Sequence, residues 1–550
     1  MVGVALVSGP ACNALFGVDE LCFDCGGSTT SAGGAGAGSQ GGGGTGGTVG
    51  PCQPGTTRPC YDGLPGTEGV GPCRGGIETC GDDGETWSGC QGEVIPQTED
   101  CHSEQDEDCN GYGCGETVWS LVFGDGADEE ARRVVVDEFG RAIVGGAFGG
   151  SMVVGSGTIG PAEGQYDPFL LAVLPDGVPL EGRAFAGLGR NALEGLALDG
   201  EGNILIAGGN SGTLDFGFGP LVASGGDGYI AKLDPLGQPL WSVAFGGNGT
   251  DEAQDVGVLP SGDVIVAGYF DNSANFAGTV LTGAANDAVL ARLDGTSGVP
   301  VWVHSHGSAG SQIPIDLAVG GDGNSVVCGY FENTLSFGGA NLVSAGNSDV
   351  FVVKLDGNGA EIWSHRYGGA GDQRAFRVAT DSQNSVVLVG SFAHDITFGV
   401  DTLTATANRT GFVAKLSSAG APQWSMAFGE GDQALGLGVA IDGQDNLWLS
   451  GVFEGTVDFG GGALSGTAGQ PNLFVAKLAP DGSHLHSRAF AIVDYPGSAP
   501  FNFWNFWNDI AVDSAGFAVV TGYFHTEIDF APAEHLSSGG ADIFVAKLAP

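Results

Sequence analysis

The sequence predicts an all-β protein, a seven-bladed β-propeller with four strands per blade that follows a small disulfide-rich module. Three observations predict this fold. A repeat of about sixty residues occurs seven times between Trp119 and Pro550, an apolar Phe-Val-Ala-Lys-Leu run recurs in the repeats, and an extra strand-like run precedes the first repeat. A fixed period of this length is typical of repeat architectures.

Each repeat divides into four short apolar runs that are separated by Gly, Asp and Pro. In the repeat that begins at Gly436 these runs are 437–442, 446–453, 473–478 and 484–490. Runs of four to eight residues rich in Val, Ile and Phe between turn residues indicate strands. No segment shows a sustained 3.6-residue period, so the sequence predicts no substantial helix.

The Phe-Val-Ala-Lys-Leu run gives the number of blades. We assign its Lys position to Val173, Lys232, Arg292, Lys354, Lys415, Lys477 and Lys547. The Trp residues of the fourth run (Trp241, Trp302, Trp363 and Trp424) follow one another at intervals of 61 residues. Four-stranded sheets repeated radially form a β-propeller, in which each sheet packs only on its neighbours.

The two ends of the series predict that the ring closes. The extra run, Trp119–Gly124, matches a fourth strand, whereas the chain ends at Pro550 directly after a third strand. The first residues of the domain can therefore supply the missing strand of the last blade. A linear solenoid is the alternative, although it gives no reason for this offset.

The repeat resembles the SBBP-type β-propeller repeats of delta-proteobacterial surface proteins, including myxobacterial ones. The matching marks are Gly-Gly-x-Gly-x-Asp (Gly246 to Asp251), the turns at Asp199 and Asp513, Asp-Phe-Gly (Asp215 to Gly217) and the Phe-Val-Ala-Lys-Leu run. The resemblance covers about 430 of the 550 residues. It implies a propeller and a cell-surface location, and it implies no reaction.

Residues 1–25 have the features of a signal remnant with a lipid-attachment site. The apolar start ends in Gly-Pro-Ala-Cys12, which resembles a degenerate lipobox, and the following residues resemble the start of myxobacterial lipoproteins. The resemblance implies acylation of Cys12. A short apolar terminus without processing is the alternative, because the basic region and apolar core of a signal are short here.

Residues 26–51 form a Gly-rich linker, and residues 52–115 form a Cys-rich module. An even number of cysteines within about sixty residues favours four disulfides in an oxidising compartment. The eight cysteines are Cys52, Cys60, Cys73, Cys80, Cys90, Cys101, Cys109 and Cys114. Zinc is the alternative, but paired Cys-x-x-Cys knuckles are absent from the module. We expect a further disulfide between Cys22 and Cys25 and a buried free thiol at Cys328.

The module contains one candidate calcium loop. Asp106, Asp108 and Asn110 alternate along the chain and are followed by Gly111, which is how an EF-hand-like loop begins. The Glu expected at the twelfth loop position is replaced by Thr117. The segment also resembles metal-binding repeats of myxobacterial surface proteins. Ca²⁺ is the only cofactor the sequence suggests, and a solvated acidic turn is the alternative.

The net charge of −46, from 64 acidic and 18 basic residues, excludes several classes of partner. Nucleic acids require Lys and Arg to neutralise phosphates. The same argument excludes a polybasic grip on a membrane, so membrane attachment depends on the lipid anchor alone. We expect a monomer whose partner is an extracellular glycan or protein.

The propeller region, residues 116–550, contains one irregular loop. Phe428 and Asp442 are 14 residues apart, whereas the corresponding Phe490 and Asp513 are 23 apart. The additional residues are rich in aromatic side chains that can stack on sugars or bind a protein. These candidate ligand-binding residues are Tyr495, Phe501, Phe503, Trp504, Phe506 and Trp507. Packing inside the channel or between the first and last blades is the alternative.

Two other groups of residues allow weaker hypotheses. The loop carboxylates of Asp128, Asp251, Asp372 and Asp432 recur at similar places and either cap their own turns or line the channel mouth. His304 with His306, and His484 with His486, are two residues apart on predicted strands, so each pair supplies two metal ligands at most.

The sequence favours a cell-surface lipoprotein whose propeller binds an extracellular ligand, as an adhesin or a glycan-binding protein does. No nucleophile elbow, P-loop or His-Glu-x-x-His motif is present, and no catalytic residue is predicted. A secreted lyase or glycoside hydrolase that degrades polysaccharide is the second hypothesis. A structural surface protein is the third. The expected location is the cell envelope, either anchored to the outer membrane or outside the cell.

Overall fold

The computed structural model describes residues 52–63, 66–97, 106–107, 109, 111–467, 469–493 and 507–550, and of Asp432 only the backbone. These residues form two compact units: Trp119–Leu548 form the larger one, and the described residues up to Val118 together with Ala549–Pro550 form the smaller one. All regular secondary structure in the described ranges is β-strand. No helix capable of spanning a membrane is found among them.

The Cys-rich unit is held together by disulfides. Its strands β1 (Thr57–Cys60) and β2 (Gly76–Thr79) pair antiparallel. The disulfides join Cys52 to Cys80, Cys60 to Cys90 and Cys73 to Cys109. Cys114 is also disulfide-bonded, and Cys101 lies outside the described residues. The predicted disulfide module is therefore confirmed by three bridges.

The larger unit consists of antiparallel four-stranded sheets that follow one another along the chain, after β3 (Thr117–Phe123). Sheet 1 contains β4 (Glu129–Val136), β5 (Ala142–Phe148), β8 (Asp167–Val173) and β9 (Arg183–Ala184), with the small hairpin β6 (Met152–Val154) and β7 (Gly157–Ile159). Sheet 2 contains β10 (Asn191–Leu198), β11 (Ile204–Asn210), β14 (Asp227–Leu233) and β15 (Pro239–Gly246), with the hairpin β12 (Thr213–Leu214) and β13 (Leu221–Val222).

The next sheets repeat this arrangement. Sheet 3 contains β16 (Glu252–Val258), β17 (Val264–Phe276), β18 (Thr279–Leu293) and β19 (Pro300–His306). Sheet 4 contains β20 (Gln312–Val319), β21 (Ser325–Phe331), β24 (Asp349–Leu355) and β25 (Glu361–Tyr367), with the hairpin β22 (Thr334–Leu335) and β23 (Leu342–Val343). Sheet 5 contains β26 (Gln373–Thr380), β27 (Val386–Phe392), β30 (Thr410–Leu416) and β31 (Pro422–Phe428), with the hairpin β28 (Asp395–Phe398) and β29 (Asp401–Thr404).

The last two sheets complete the unit. Sheet 6 contains β32 (Glu430–Ile441), β33 (Leu447–Val457), β35 (Asn472–Leu478) and β36 (His484–Val493), with β34 (Leu464–Ser465) paired to the end of β33. Sheet 7 contains β37 (Asn508–Val512), β38 (Ala518–Phe524), β41 (Asp542–Leu548) and β3, with the hairpin β39 (Glu527–Asp529) and β40 (Glu534–Leu536).

The sheets are arranged as a closed ring, which confirms the predicted β-propeller. The first strand of each sheet contacts the first strand of the next, in the order β4, β10, β16, β20, β26, β32 and β37, and β37 contacts β4 again. These first strands therefore surround a common axis. Because every sheet has a neighbour on both sides, the apolar residues of its two faces are buried without a single large core.

The N-terminal strand closes the ring, as predicted. Sheet 7 has the strand order β3-β41-β38-β37, so residues from the start of the unit form the fourth strand of its last sheet. The backbone N–H of Glu129 donates to the carbonyl oxygen of Ala541 at 2.7 Å, and the Trp119 indole donates to the carbonyl oxygen of Pro175 at 3.0 Å. The alternative of a linear solenoid is wrong.

The repeated Lys of the third strand forms a buried ion pair with the Asp of the turn between the first and second strands. Lys415 Nζ lies 3.0 Å from Asp381 Oδ2, and both side chains are buried. The same pairing joins Lys232 to Asp199, Lys477 to Asp442 and Lys547 to Asp513. In sheets 3 and 4 the third-strand cation pairs instead with a later carboxylate of the same turn, Arg292 with Asp263 and Lys354 with Asp322. The pair fastens this turn to the third strand of the same sheet.

Sheet 1 departs from this pattern, and its register corrects one assignment. Val173 pairs with Ala142, as Leu416 pairs with Val386, so the residue at the Lys position is Ala172. The turn carboxylate of sheet 1 is neutralised from a different place. Arg141 Nε lies 2.6 Å from Asp137 Oδ2 and thus replaces the missing lysine.

Aromatic residues join neighbouring sheets. The Trp424 indole in sheet 5 donates to the carbonyl oxygen of Pro480 in sheet 6 at 3.1 Å. Trp241, Trp302 and Trp363 make the equivalent bond to their next sheets. The Phe of the Asp-Phe-Gly step packs on the fourth strand of the preceding sheet; Phe459, for example, packs on Phe428 with ring centroids 4.9 Å apart. The regularly spaced Trp residues and the Phe of Asp-Phe-Gly are therefore residues that contact a neighbouring sheet.

Candidate functional site

The connections between strands lie on two faces of the ring. Since the four strands of each sheet are antiparallel neighbours, the turns after the first and third strands lie on one face. The hairpins after the second strand and the loops that join one sheet to the next lie on the other. Because loops on a rigid scaffold commonly carry function, this second face is the candidate binding face.

A cavity of about 300 Å³ opens at the ends of the first strands that adjoin the second face. We call it the channel-mouth cavity. It is lined by Glu194, Glu252, Gln254, Tyr269, Asn286, Ile313, Ile315, Tyr330, Arg374, Phe376, Leu435, Leu437 and Trp507. Most of these residues come from the first strands of sheets 2 to 6, so several sheets build one cavity around the common axis.

One wall of the cavity is apolar. Ile313, Ile315, Phe376 and Leu437 form a cluster with Leu435 on adjacent first strands, and each has at most 8% of its surface exposed. Tyr269 and Tyr330 pack against this cluster. The wall therefore offers a ligand an apolar surface that neighbouring sheets hold rigidly.

Next to the apolar wall, the cavity holds a carboxylate in a defined position. Glu252 Oε2 accepts hydrogen bonds from the Tyr269 hydroxyl at 2.9 Å and from Gln254 Nε2 at 2.8 Å. Burial and the nearby Glu252 carboxylate raise the pKa of Tyr269, which keeps this hydroxyl protonated as a donor. Glu252 can accept a further bond from a ligand hydroxyl.

One guanidinium group lines the cavity and a second contacts residues that line it. The Arg132 guanidinium bonds to the Glu194 carboxylate, lies 2.7 Å from Glu130 Oε2, and is 5.7 Å from the Trp507 ring. The Arg374 guanidinium lies over the Tyr330 ring at 4.1 Å. The cavity therefore combines an apolar wall, fixed charges of both signs and aromatic rings, which is typical of a ligand pocket.

Deeper along the first strands lies a charged ring, which we define as Arg133, Asp255, Asp316, Arg377 and Asp509. Arg133 lies 2.8 Å from Asp316 and 3.3 Å from Asp255, and Arg377 lies 3.4 Å from Asp509. Each Asp also accepts a backbone N–H from the next sheet: Leu317, Val378 and Val134 donate at 2.9, 2.8 and 3.1 Å. The charged ring thus joins sheets 3, 4, 5, 7 and 1.

The charged ring holds three carboxylates and two guanidinium groups, so one negative charge is left over. Burial raises the pKa of Asp255 to about 8, against the opposing effect of Arg133. Burial also raises the pKa of Asp509. Glycine fills the remaining two positions, because a Cβ on Gly195 would come within 2.7 Å of the Asp255 Cα and one on Gly438 within 2.3 Å of the Ser450 Oγ.

Only one of the aromatic candidates can be placed. Trp507 lines the channel-mouth cavity directly before β37. Tyr495, Phe501, Phe503, Trp504 and Phe506 lie outside the described residues, as does Cys12. The position of Trp507 links the irregular loop of the sequence to the cavity.

The loop carboxylates have unequal surroundings. Asp251 accepts N–H groups from Gly247 at 2.7 Å and Asp271 at 2.9 Å, so it caps its own loop as expected. Asp128 instead accepts the backbone N–H of Ala541 in sheet 7, and Asp372 accepts the Ser348 hydroxyl of sheet 4. These two carboxylates therefore bridge neighbouring sheets. The side chain of Asp432 lies outside the described part of the chain.

The candidate metal ligands form no cluster of three in the described ranges. Asp106 Oδ2 accepts the Gly111 N–H at 2.9 Å, whereas Asp108 and Asn110 lie outside the described residues. His304 stacks on Trp302 with centroids 4.7 Å apart, and His306 bonds to the Ser336 carbonyl oxygen at 3.0 Å. Cys328 is buried and free, as expected, and burial raises the pKa of its thiol.

Sequence reasoning missed the other residues of the cavity. Glu194, Gln254, Ile315, Phe376 and Leu437 precede the charged-ring position on five first strands, so they are equivalent in the repeat but differ in chemistry. Repeat counting emphasises what the sheets share. The site could have been recognised from variation between repeats: the residue before the charged-ring position differs from sheet to sheet, although the rest of the strand is regular.

No family model matches the chain. An uncharacterized WD repeat-containing protein of Acanthamoeba polyphaga mimivirus is 25% identical over 155 residues. The match covers 25% of this chain and 11% of that protein, so the chain spans about a tenth of its relative's length.

Solved propellers resemble the chain in fold alone. The Dos1 propeller has a TM-score of 0.37 at 9% identity and covers 78% of this chain and 95% of its own. BamB from Moraxella catarrhalis has a TM-score of 0.33 at 11% identity, with 78% and 100% covered. A quinohemoprotein alcohol dehydrogenase from Comamonas testosteroni has a TM-score of 0.37 at 10% identity, with 79% and 76% covered. These likenesses assign no activity to the chain.

Proposed function

We propose that this protein binds an extracellular glycan in the channel-mouth cavity. One observation carries the proposal: a single cavity combines a rigid apolar wall with a carboxylate that a tyrosine and a glutamine hold in place. A sugar ring has an apolar C–H face and hydroxyl groups at its edge. The C–H face would pack on Phe376 and Trp507, and a hydroxyl would donate to Glu252.

The size and charge of the cavity agree with this ligand. A volume of about 300 Å³ is at the lower end for small-molecule sites, which suits one or two sugar units at the end of a chain. The protein has a net charge of −46, which disfavours anionic polymers. The ligand is therefore a neutral or amino-substituted glycan.

The location follows from the Cys-rich unit. Three disulfides in a short segment support an oxidising compartment outside the cytoplasm. We further propose that Cys12 is acylated and anchors the chain to the cell envelope. Labelling cells with a radioactive fatty acid should mark the wild-type protein and leave the Cys12→Ser variant unlabelled. Equal labelling of both would contradict the anchor.

Glycan binding can be tested by calorimetric titration of the full chain against a panel of neutral and amino-substituted oligosaccharides, with calcium and with chelator. We expect saturable binding that the Trp507→Ala and Glu252→Gln variants weaken by about 10- to 100-fold, because central contacts of a site contribute about 1–3 kcal/mol each. The matched control is Phe139→Ala, which removes an aromatic side chain that is 56% exposed. Its turn follows the first strand of sheet 1 and so lies on the opposite face.

Three outcomes would contradict the proposal. Equal affinity in the Trp507→Ala variant and in wild type would move binding away from the cavity. Release of shortened oligosaccharides would indicate a polysaccharide-degrading enzyme. Silence across the panel, together with saturable binding of a protein from the cell surface, would replace the glycan with a protein partner.

A further inference from the structure

A buried glutamate lies at the seam where the ring closes, between sheet 7 and sheet 1. Glu129 is the first residue of β4, and its side chain is fully buried. One carboxyl oxygen, Oε2, accepts the backbone N–H of Asp125 at 3.1 Å. The other, Oε1, is buried and has no hydrogen-bond partner. A buried polar atom without a partner requires an explanation.

Equivalent residues of other sheets provide an internal comparison. Glu129 pairs with Phe148 at the end of β5, and Gln312 and Gln373 pair in the same way with Phe331 and Phe392. Like Glu129, each glutamine accepts a backbone N–H from the residue four positions earlier, at 3.2 Å for Gln312 and 3.3 Å for Gln373. In sheets 1, 4 and 5, one oxygen of the side chain at this position therefore accepts the same backbone hydrogen bond.

The second polar atom of the side chain distinguishes Glu129 from the two glutamines. Gln312 Nε2 donates to the carbonyl oxygen of Glu332 at 3.1 Å, and Gln373 Nε2 donates to that of Ala393 at 3.0 Å. Both acceptors directly follow the closing Phe of the second strand, and Gly149 is the residue at this place in sheet 1. Glu129 has an oxygen where the glutamines have an N–H donor. Only a protonated carboxyl can donate there.

We propose that Glu129 is a protonated latch of the ring closure: its carboxyl O–H donates to the Gly149 carbonyl oxygen within sheet 1, and release of this proton at alkaline pH leaves a carboxylate near that of Asp542 in sheet 7, which loosens the seam between the two sheets. The surrounding groups favour the protonated form. Asp125 and Asp128 in the preceding loop and Asp542 on β41 are acidic, and the Tyr166 hydroxyl donates to Asp128. Asp542 Oδ1 is itself buried without a partner.

The electrostatics of the seam agree with this geometry. Burial raises the pKa of Glu129 to about 7, and the nearby carboxylates of Asp125, Asp542 and Asp128 also raise it. A carboxyl whose pKa is higher in the folded state than in the unfolded state stabilises the fold below its unfolded pKa. That contribution is lost as the pH rises through about 7. The contact between sheets 7 and 1 is therefore more stable at mildly acidic pH than at alkaline pH.

The latch is tested by comparing Glu129→Gln with wild type in the full chain, from about pH 6 to about pH 8.5. From Glu129 alone, the wild-type folding equilibrium constant should fall about tenfold over this range. The Glu129→Gln variant should lack that part of the decrease and be the more stable protein at the alkaline end. Backbone amides of β3 should exchange faster in wild type than in the variant at alkaline pH, after correction for intrinsic exchange.

The control is Asp251→Asn, at the corresponding position of sheet 3. Both Asp251 oxygens accept N–H groups, so its substitution should not reproduce the protection of β3. The infrared spectrum of wild type minus that of Glu129→Gln at about pH 6 should contain the carbonyl stretch of a protonated acid, since the protonated carboxyl of Asp255 is common to both proteins and cancels. The latch is overturned if the two proteins share one pH profile, if Glu129→Gln is less stable at acidic pH, or if that band is missing.

Discussion

Replacing Arg133 with methionine is expected to lower the free energy of unfolding by about 3–5 kcal/mol at neutral pH, because it leaves buried carboxylates without a counter-ion. Arg133 contacts Asp316 and Asp255 and also donates to the carbonyl oxygen of Glu194. Without it, the three carboxylates of the charged ring share the single cation of Arg377. Denaturant unfolding of the two proteins measures the difference.

The pH dependence of the stability lost in Arg133→Met distinguishes the electrostatic contribution of Arg133 from its packing contribution. In the variant, a buried carboxylate that has lost its counter-ion can become neutral only by binding a proton, so the destabilisation should be smaller at about pH 5 than at about pH 8. In wild type, the raised pKa of Asp255 already makes the charged ring less favourable as the pH rises toward about 8. A loss that is equal at both pH values would show that Arg133 acts through packing alone.

A matched control for this experiment is Arg190→Met. Arg190 is exposed and lies over the Tyr166 ring at 5.5 Å, so its loss removes a cation from the surface. Surface substitutions of this kind usually change stability by less than about 0.5 kcal/mol. A comparable destabilisation in the control would mean that removing any cation from so acidic a chain has this effect.

The second large effect is expected for Lys415→Ala, which should lower the free energy of unfolding by about 3–5 kcal/mol at neutral pH. Lys415 pairs with Asp381, and its Nζ also donates to the carbonyl oxygen of Pro480 in the next sheet. Although burial works in the other direction, Lys415 and the Ser385 N–H hold the pKa of Asp381 below its ordinary value. Denaturant unfolding measures this loss.

The pH dependence of this pair has the opposite sign to that of Glu129. A carboxyl with a lowered pKa stabilises the fold above its unfolded pKa, and this contribution disappears as the pH falls below about 4. The difference between Lys415→Ala and wild type should therefore shrink on acidification. A difference that persists in acid would contradict the assignment to the ion pair.

Sheet 1 supplies the design of a rescue variant. There Ala172 stands at the Lys position and Arg141 neutralises Asp137 from four residues along the chain. Ser385 occupies the place of Arg141 in sheet 5, directly before the second strand. The double variant Lys415→Ala/Ser385→Arg should recover most of the lost stability. Failure of this rescue, with a normal fold, would show that the bond to Pro480 matters more than the charge.

The sequence indicated the strands, because each sheet needs the same alternation of apolar residues and turns. It also indicated closure, because the fourth-strand pattern of Trp119–Gly124 had no partner within its own repeat. The disulfide module followed from the cysteine count, although the pairing did not. Local sequence patterns predict the structure where a residue's contacts lie at the same positions in every repeat.

The misassignment of Val173 shows the limit of such patterns. Where the motif is degenerate, an apolar run can be aligned one residue out of register, and only the pairing of Ala172 with Ile143 identifies the true position. Asp251 shows the same limit. It corresponds to Glu129 and Gln373, whereas Asp128 and Asp372 stand one residue earlier.

The sequence by itself determined the repeat, the all-β class and the closing strand, since these depend on periodic apolar patterns that one repeat displays to the next. Only the tertiary structure decided the channel-mouth cavity, the charged ring and the surroundings of Glu129. Each brings together residues from several sheets that are far apart along the chain. Their chemistry differs from sheet to sheet, so it becomes visible only when the closed ring places them around one axis.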